Sequence, residues 1–272
     1  MCRLCLRLRL RGRWALIAPG NEARADRPGP ELSRRLADWL RGPRSRALRR
    51  AGIGRRERVL EVGCGHGVVT VELVRRARGD VVAVDRLLPT GPHRRSPREA
   101  NGSALLAAAD ARNLPFADAA FDLVFFQNTL MWIDPAGSAV REAARVLRPD
   151  GALVALEPDY GGMIEEPDLG LRVIWLDALE RAGADPLTGR KLPGLLEDAG
   201  LYPWVEFAHI PRPAETEALD LLAELPLTVL QRERTADARR ILEAASGDWS
   251  VFLHVPWVMV VAGHRKLGHL GR

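Results

Sequence analysis

The chain has 272 residues, 47% hydrophobic and 28% charged, a globular composition that excludes a disordered or fibrous chain. Its formal charge of +5 is unevenly spread: residues 1–58 hold 17 Arg against 5 acids, and the remainder holds 40 − 17 = 23 basic residues against 35 − 5 = 30 acids. No apolar run reaches the ~20 residues of a membrane span, the longest, Val251–Ala262, being interrupted by His254 and Pro256. Three cysteines make no disulfide framework and point to the reducing cytosol. The opening alternation of Leu and Arg lacks the order of a secretory leader.

Residues 1–30 read as a basic arm closed by Pro28-Gly29-Pro30. Cys2 and Cys5 have C-x-x-C spacing, but neither further ligands nor a strand-to-helix turn lies nearby, so the spacing is read as coincidence. From Glu31 to Arg50 helical spacing sets Leu32, Leu36, Trp39 and Leu40 on one side, and Gly42-Pro43 kinks or restarts the helix. Residues 31–57 are therefore expected to form a helical cap. The pattern then alternates: strand Val59–Val62, helix Val68–Ala77, strand Val81–Val84 ending on Asp85. A Pro- and Arg-rich loop, Pro89–Gly102, precedes strands Leu105–Ala109, ending at Asp110, and Phe121–Phe126. Asp134-Pro135 predicts an N-cap with proline at the first helical position, opening a helix to Leu147. Pro149-Asp150-Gly151 turns the chain into the strand Ala152–Leu156. Helices are expected over Leu169–Ala182 and from a Thr188 cap to Gly200, then strands Val205–Ile210 and Val255–Ala262 around a Leu-rich helical segment, Glu215–Ala245. Strands alternating with helices predict an α/β fold, a doubly wound and mostly parallel sheet covered on both faces.

The most informative string is Val59-Leu60-Glu61-Val62-Gly63-Cys64-Gly65-His66-Gly67. It leaves a strand and opens a helix, the context a nucleotide-type loop requires. Gly63 permits the tight turn, Gly65 leaves bare backbone for a ligand, and Gly67 lets helix and strand pack closely. The spacing G-x-G-x-G, with Val68 where a dinucleotide fingerprint has its third glycine, argues against a pyrophosphate ligand. Asp85, at the end of the second strand, is placed to accept both hydroxyls of a ribose. Asp110 closes the third strand. Three such features at successive strand ends point to an adenosine ligand at the carboxyl edge of the sheet.

These strings resemble the class I S-adenosylmethionine-dependent methyltransferases, particularly the ubiquinone/menaquinone C-methyltransferase-like group. EVGCGHG resembles their glycine-rich cofactor motif and VVAVD their ribose strand. AADARNLPFADAAFDLVF resembles the segment from the adenine site to the fourth strand, and REAARVLRPDGALVALEPD the following helix and fifth strand. The likeness covers Arg58–Asp159, and Gly189–Leu201 is similar to a later helix of such enzymes. It implies a seven-stranded sheet whose last strand runs antiparallel, with an N-terminal helix and C-terminal helical lid elements. Residues 58–272 would form the methyltransferase domain with its acceptor-side elements. It also implies S-adenosylmethionine as cofactor, S-adenosylhomocysteine as product, and no metal. Glu61, Gly63, Cys64, Gly65 and Gly67 would line the methionine part, Asp85 would hold the ribose, Asp110 with Ala111 the adenine edge, and Asn128 the far side of the sulfonium. Arg86 would pack beside the adenosine, although the loop Pro89–Gly102 departs from the Leu- and Ala-rich helix usual there.

On the acceptor side, Glu157, Asp159 and Tyr160 follow the fifth strand and are the candidates for orienting or deprotonating a nucleophile. Trp132 is read as lid packing or acceptor contact and His66 as filler in the loop. His209, His254 and His264 lack ligand spacing. The expected partner is a small-molecule acceptor in the cytoplasm. No aromatic and basic groove for nucleic acid and no amphipathic membrane anchor is seen. Two other readings are a nicotinamide-dependent oxidoreductase, against which the glycine spacing argues, and a cofactor-binding module without turnover.

Overall fold

The computed structural model describes residues 29–87, 98–99, 102–208, 214, 216–245 and 248–265. The Leu–Arg arm with Cys2 and Cys5, most of the Pro89–Gly102 loop, and His209 lie outside the described residues.

Near-continuous apolar strands, buried on both faces, form the centre of the sheet. Strands β1 (Arg58–Val62), β2 (Asp80–Asp85), β3 (Arg98–Glu99), β4 (Gly102–Ala108), β5 (Phe121–Gln127) and β6 (Leu147–Pro158) are joined by β8 (Tyr202–Phe207) and β10 (Trp257–Gly263). Their order is β3-β4-β2-β1-β5-β6-β10-β8. From β4 to β6 the neighbours are parallel, and β10 runs antiparallel to both β6 and β8. The expected seven strands and their reversed last member are therefore present. The eighth, β3, pairs antiparallel with β4 at the edge, inside the stretch expected to be loop. The order runs outward from β1 through β2 to β4 on one side and through β5 to β6 on the other, so it reverses between β1 and β5, where such sheets open a crevice for ligands.

Side chains alternate between two cores. Toward one face Leu123, Phe125 and Met259 pack with Leu48 and Leu73 from the cap and first crossover helices, α1 (Pro30–Trp39), α2 (Arg41–Arg50) and α3 (Val68–Arg76). Toward the other Val124, Phe126 and Val260 pack with Val140, Leu192 and Leu196 of α4 (Ala136–Val146) and α6 (Thr188–Asp198). A third cluster lies beyond the strand ends. Tyr160, Met163, Trp175, Leu219 and Leu242 pack together there, built from α5 (Leu171–Arg181), α7 (Glu217–Ala223), α8 (Val229–Ala245) and the ribbon of β7 (Ile164–Glu166) with β9 (Phe252–His254). This is the helical lid. Among the described residues no helix is long and apolar enough to cross a membrane.

The first helix breaks and restarts as expected, at Leu40, so that Pro43 falls in the first turn of α2, where a missing amide costs nothing. Two helix caps differ from expectation. Asp134 does not cap α4: Pro135 is itself the extended N-cap residue, with no side-chain cap bond, and the exposed Asp134 lends its carbonyl to Arg112 Nη1 at 2.8 Å. Thr188 is the first helical residue of α6, its hydroxyl donating to the Asp185 carbonyl at 2.8 Å, and Leu187 is the cap.

Candidate active site

β1 delivers the chain into a turn in which Gly63, Gly65 and Gly67 all have left-handed φ, +79°, +53° and +77°. Residues with a Cβ adopt that region only at a cost. Gly63 has a second reason to be glycine, since a Cβ there would lie 2.3 Å from Cγ2 and Oγ1 of Thr129. The amides of Gly63 and Cys64 both donate to the Val84 carbonyl, at 2.8 and 3.1 Å, which fastens the turn to β2. Asp85, at the end of β2, completes it: Oδ2 accepts the Gly65 amide at 2.8 Å and Oδ1 the Leu87 amide at 3.0 Å. Asp85 thus anchors the loop through both carboxylate oxygens.

At the next strand end the Asp110 carboxylate accepts from the Arg112 amide at 2.8 Å and from Nη2 at 2.8 Å. The Arg112 hydrogen bonds, with a smaller contribution from the Arg86 charge, hold that carboxyl below the usual range. Arg86 is exposed and Ala111 half-buried. Glu61 lies deeper, 3% exposed between β1 and α3, with Oε2 accepting the Thr70 hydroxyl at 2.5 Å. Burial pushes its carboxyl up to about 7; the Asp85 charge adds to this, and the Thr70 bond and Arg44 charge oppose it. Cys64 is buried and His66 half-buried.

Beyond β5, Asn128 has φ +51° and its amide donates to the Leu156 carbonyl at 2.9 Å. The following amides, Thr129 and Leu130, both donate to Glu157 Oε1 at 2.9 Å. Glu157 is fully buried, its Oε2 has no hydrogen-bond partner among the described residues, and burial raises its carboxyl to about 7 against the lowering effect of the Leu130, Thr129 and Met131 amides. Asp159 takes Arg190 Nε on both oxygens, at 2.8 and 3.0 Å. Tyr160 is buried, stacked on Trp175 with ring centroids 4.8 Å apart, and its burial raises the hydroxyl pKa. Trp132 packs against the same lid cluster. The glycine turn, Asp85 and Asp110 thus stand at adjoining strand ends, and the three acceptor-side candidates are set among backbone amides, an arginine and the lid core.

Sequence reasoning missed three residues that join these parts. Arg44 of α2 is 3% exposed; it donates to Glu72 Oε2 through Nε and Nη2 at 2.8 and 2.6 Å, and through Nη1 to the Ala37 carbonyl at 2.8 Å and Gln127 Oε1 at 3.1 Å. Gln127 ends β5, so the cap is clipped to the edge of the site. Thr129 seats against Gly63. Nothing marks one arginine among the 17 of residues 1–58, and no motif marks Gln127 or Thr129. Among the described residues there is no group of three or more side chains that could hold a metal ion.

Sheet order and a strand-end glycine turn define a class of protein, and comparison with known sequences agrees. Residues 60–155 match the family described as Methyltransferase domain. The malonyl-[acyl-carrier protein] O-methyltransferase of Pseudescherichia vulneris is 34% identical over 141 residues, 52% of this chain and 52% of that protein. The demethylmenaquinone methyltransferase of Mycolicibacterium paratuberculosis is 39% identical over 122 residues, 44% of this chain and 47% of that protein. The chain spans about half the length of these curated relatives. The solved YcgJ protein of Bacillus subtilis shares the fold, with a TM-score of 0.57 at 15% identity over 82% of this chain and 97% of that one. Residues 60–155 therefore match a methyltransferase domain, and part of the chain is similar to a demethylmenaquinone methyltransferase.

Proposed function

We propose that the chain transfers a methyl group from S-adenosylmethionine to a small-molecule acceptor in the cytosol, releasing S-adenosylhomocysteine. The observation that carries this reading is the meeting of the left-handed glycine turn with the Asp85 carboxylate, 2.8 Å from the Gly65 amide. It occurs at the strand edge where α/β sheets bind ligands. In this reading Gly63, Cys64, Gly65 and Gly67 offer backbone to the methionine part, and Glu61 holds the turn from beneath through Thr70. Asp85, at the end of β2, accepts the ribose hydroxyls. Asp110 and Ala111 take the adenine edge with Arg86 beside them, and Asn128 borders the far side of the sulfonium.

The bound cofactor supplies an electrophilic methyl group. The work left to the chain is to orient it, exclude water and align the acceptor for in-line attack. Asp159, committed to Arg190, and Tyr160, committed to Trp175, shape the loop that faces the acceptor, with Glu157 behind them. Proton removal then falls to the acceptor's own acidity or to solvent. The relative named for demethylmenaquinone supports a small acceptor, and the one named for malonyl-[acyl-carrier protein] adds carrier-bound acyl groups to the panel worth testing.

Calorimetric titration with S-adenosylhomocysteine and NADH, followed by assay of S-adenosylhomocysteine release with a panel of quinols and acyl thioesters, tests the proposal. Binding of the homocysteine form alone, with release on some acceptors, is expected. Binding of NADH alone overturns the cofactor, and binding without release on acceptors from any chemical class overturns turnover in favour of a binding module.

A further inference from the structure

Glu157 occupies an uncommon position. It is fully buried at the end of a central strand, yet Oε1 accepts the Thr129 and Leu130 amides at 2.9 Å while Oε2 makes no hydrogen bond among the described residues. A buried carboxyl with an idle oxygen is costly, and an apolar side chain of similar volume would fill the place at lower cost. What the carboxyl does achieve is to tie to β6 a turn whose middle is otherwise closed only by its own short-range bonds, the Thr129 hydroxyl on the Gln127 carbonyl at 2.9 Å and the Trp132 amide on the Thr129 carbonyl at 3.1 Å. The turn's start is fixed by the Asn128 amide on the Leu156 carbonyl at 2.9 Å, and its end by the Asp185 amide on the Met131 carbonyl at 2.8 Å.

That turn has a different neighbour on each side. Toward β1, the Thr129 side chain fills the space a Gly63 Cβ would need, 2.3 Å away. Toward the lid, Met131 and Trp132 belong to the apolar cluster of Tyr160, Met163 and Trp175. A displacement of the turn must therefore be felt at both the glycine turn and the lid, because packed interiors transmit strain instead of absorbing it. Asn128, left-handed at φ +51°, concentrates the bend just ahead of the clamp.

We propose that Glu157 is a positioning residue: it fixes the turn Asn128–Trp132 and through it couples the acceptor-side lid to the glycine turn. This rests on the cofactor reading given above. Bound cofactor presses on Gly63, Thr129 seats against it, and the clamped turn carries that seating to the lid core.

The test combines S-adenosylhomocysteine calorimetry with hydrogen–deuterium exchange of residues 160–181, with and without that ligand, on the full chain. Wild type is expected to bind and to show slower lid exchange when bound. Glu157→Ala should bind ~5- to 150-fold more weakly, the usual range of coupling between sites, and lose the lid response. Glu157→Gln keeps an oxygen for the two amides and the same shape, and should restore both. Thr129→Ser removes the methyl group facing Gly63 but keeps the hydroxyl that donates to the Gln127 carbonyl at 2.9 Å. It should blunt the lid response even if Glu157→Ala does not fold. Wild-type affinity and an intact lid response in Glu157→Ala, or in Thr129→Ser where the alanine variant does not fold, overturn the coupling alone. A wild type that does not bind S-adenosylhomocysteine overturns the cofactor reading and the coupling with it.

Discussion

At the ends of β1, β2 and β4 the chain leaves glycine backbone and two carboxylates partly accessible, whereas at the end of β6 it buries every acid it has. Asp85 and Asp110 are bonded to their own loops yet stay within reach of solvent. Glu157, Asp159 and Tyr160 are all below 9% exposed and taken up by amides, Arg190 and Trp175. The difference teaches how to read strand-end acids. An acid within reach of solvent is placed where a ligand can meet it, and one that is enclosed acts through the segment it holds. The second half of the edge is thus a frame that places loops, and the first is the part proposed to receive the cofactor.

The comparison is broken most severely at Gly63, where the halves touch. Gly63→Ala adds the left-handed cost of ~1–2 kcal/mol and an overpacking cost of ~1–3 kcal/mol against Thr129. Urea denaturation should show the loss, and binding of S-adenosylhomocysteine should vanish. A wild-type midpoint would mean that the two halves are not in contact. Next comes Arg44→Met. Removing one partner of a buried pair costs ~3–5 kcal/mol, and the lower end applies because Glu72 keeps Arg76 at 2.8 Å. Denaturation should report the loss, and proteolysis should begin between residues 41 and 57; an uncut cap would show that it is held by packing alone.

The buried acids also set a pH dependence. The Glu157 carboxyl is raised from 4.5 to about 7 in the folded chain, so between those values the folded state binds more protons than the unfolded state. Stability is then full below about pH 4.5 for this group, falls as pH rises toward 7, and is level above. The loss is on the order of 3–4 kcal/mol, and Glu61 adds a slope of the same sign. Glu157→Gln should flatten its share of the slope between pH 5 and pH 8 in thermal melts; an unchanged slope would place the proton elsewhere.

Smaller effects sharpen the picture of the cap. Trp39 stands edge-on to Trp257 with ring centroids 5.8 Å apart, and Trp39→Ala should cost about 1 kcal/mol for that pair, read by denaturant midpoint. The Arg35–Asp220 bridge between cap and lid, at 3.2 Å, is half exposed. Arg35→Ala should change stability by less than ~1 kcal/mol and by less still at high salt.

Much of the cofactor half was legible in the sequence because it is built from local patterns. Apolar strands ending on Glu61-x-Gly63, Asp85 and Asp110 declare themselves by composition and position alone, and the sheet order follows from their connections. The acceptor half is built from contacts that no local pattern records. Glu157 is visible as a strand-end acid, but the amides it holds lie 27 and 28 residues earlier. Arg44 is chemically no different from its exposed neighbours until the fold buries it against Glu72. The Asp134 cap was misread because Asp-Pro satisfies the cap pattern one residue early, and the extended backbone of Pro135 decides the matter.

The claim that Asp85 holds the ribose beside the glycine turn is tested most directly by calorimetry of S-adenosylhomocysteine with wild type and Asp85→Asn. Asparagine keeps one acceptor oxygen for the loop amides but lacks the charge. At ~1.5–3 kcal/mol for a hydrogen bond to a charged group, the variant should bind ~10- to 150-fold more weakly with its circular dichroism unchanged. Equal affinity in the two proteins would contradict the assignment of Asp85, and absence of binding to wild type would contradict the cofactor site itself.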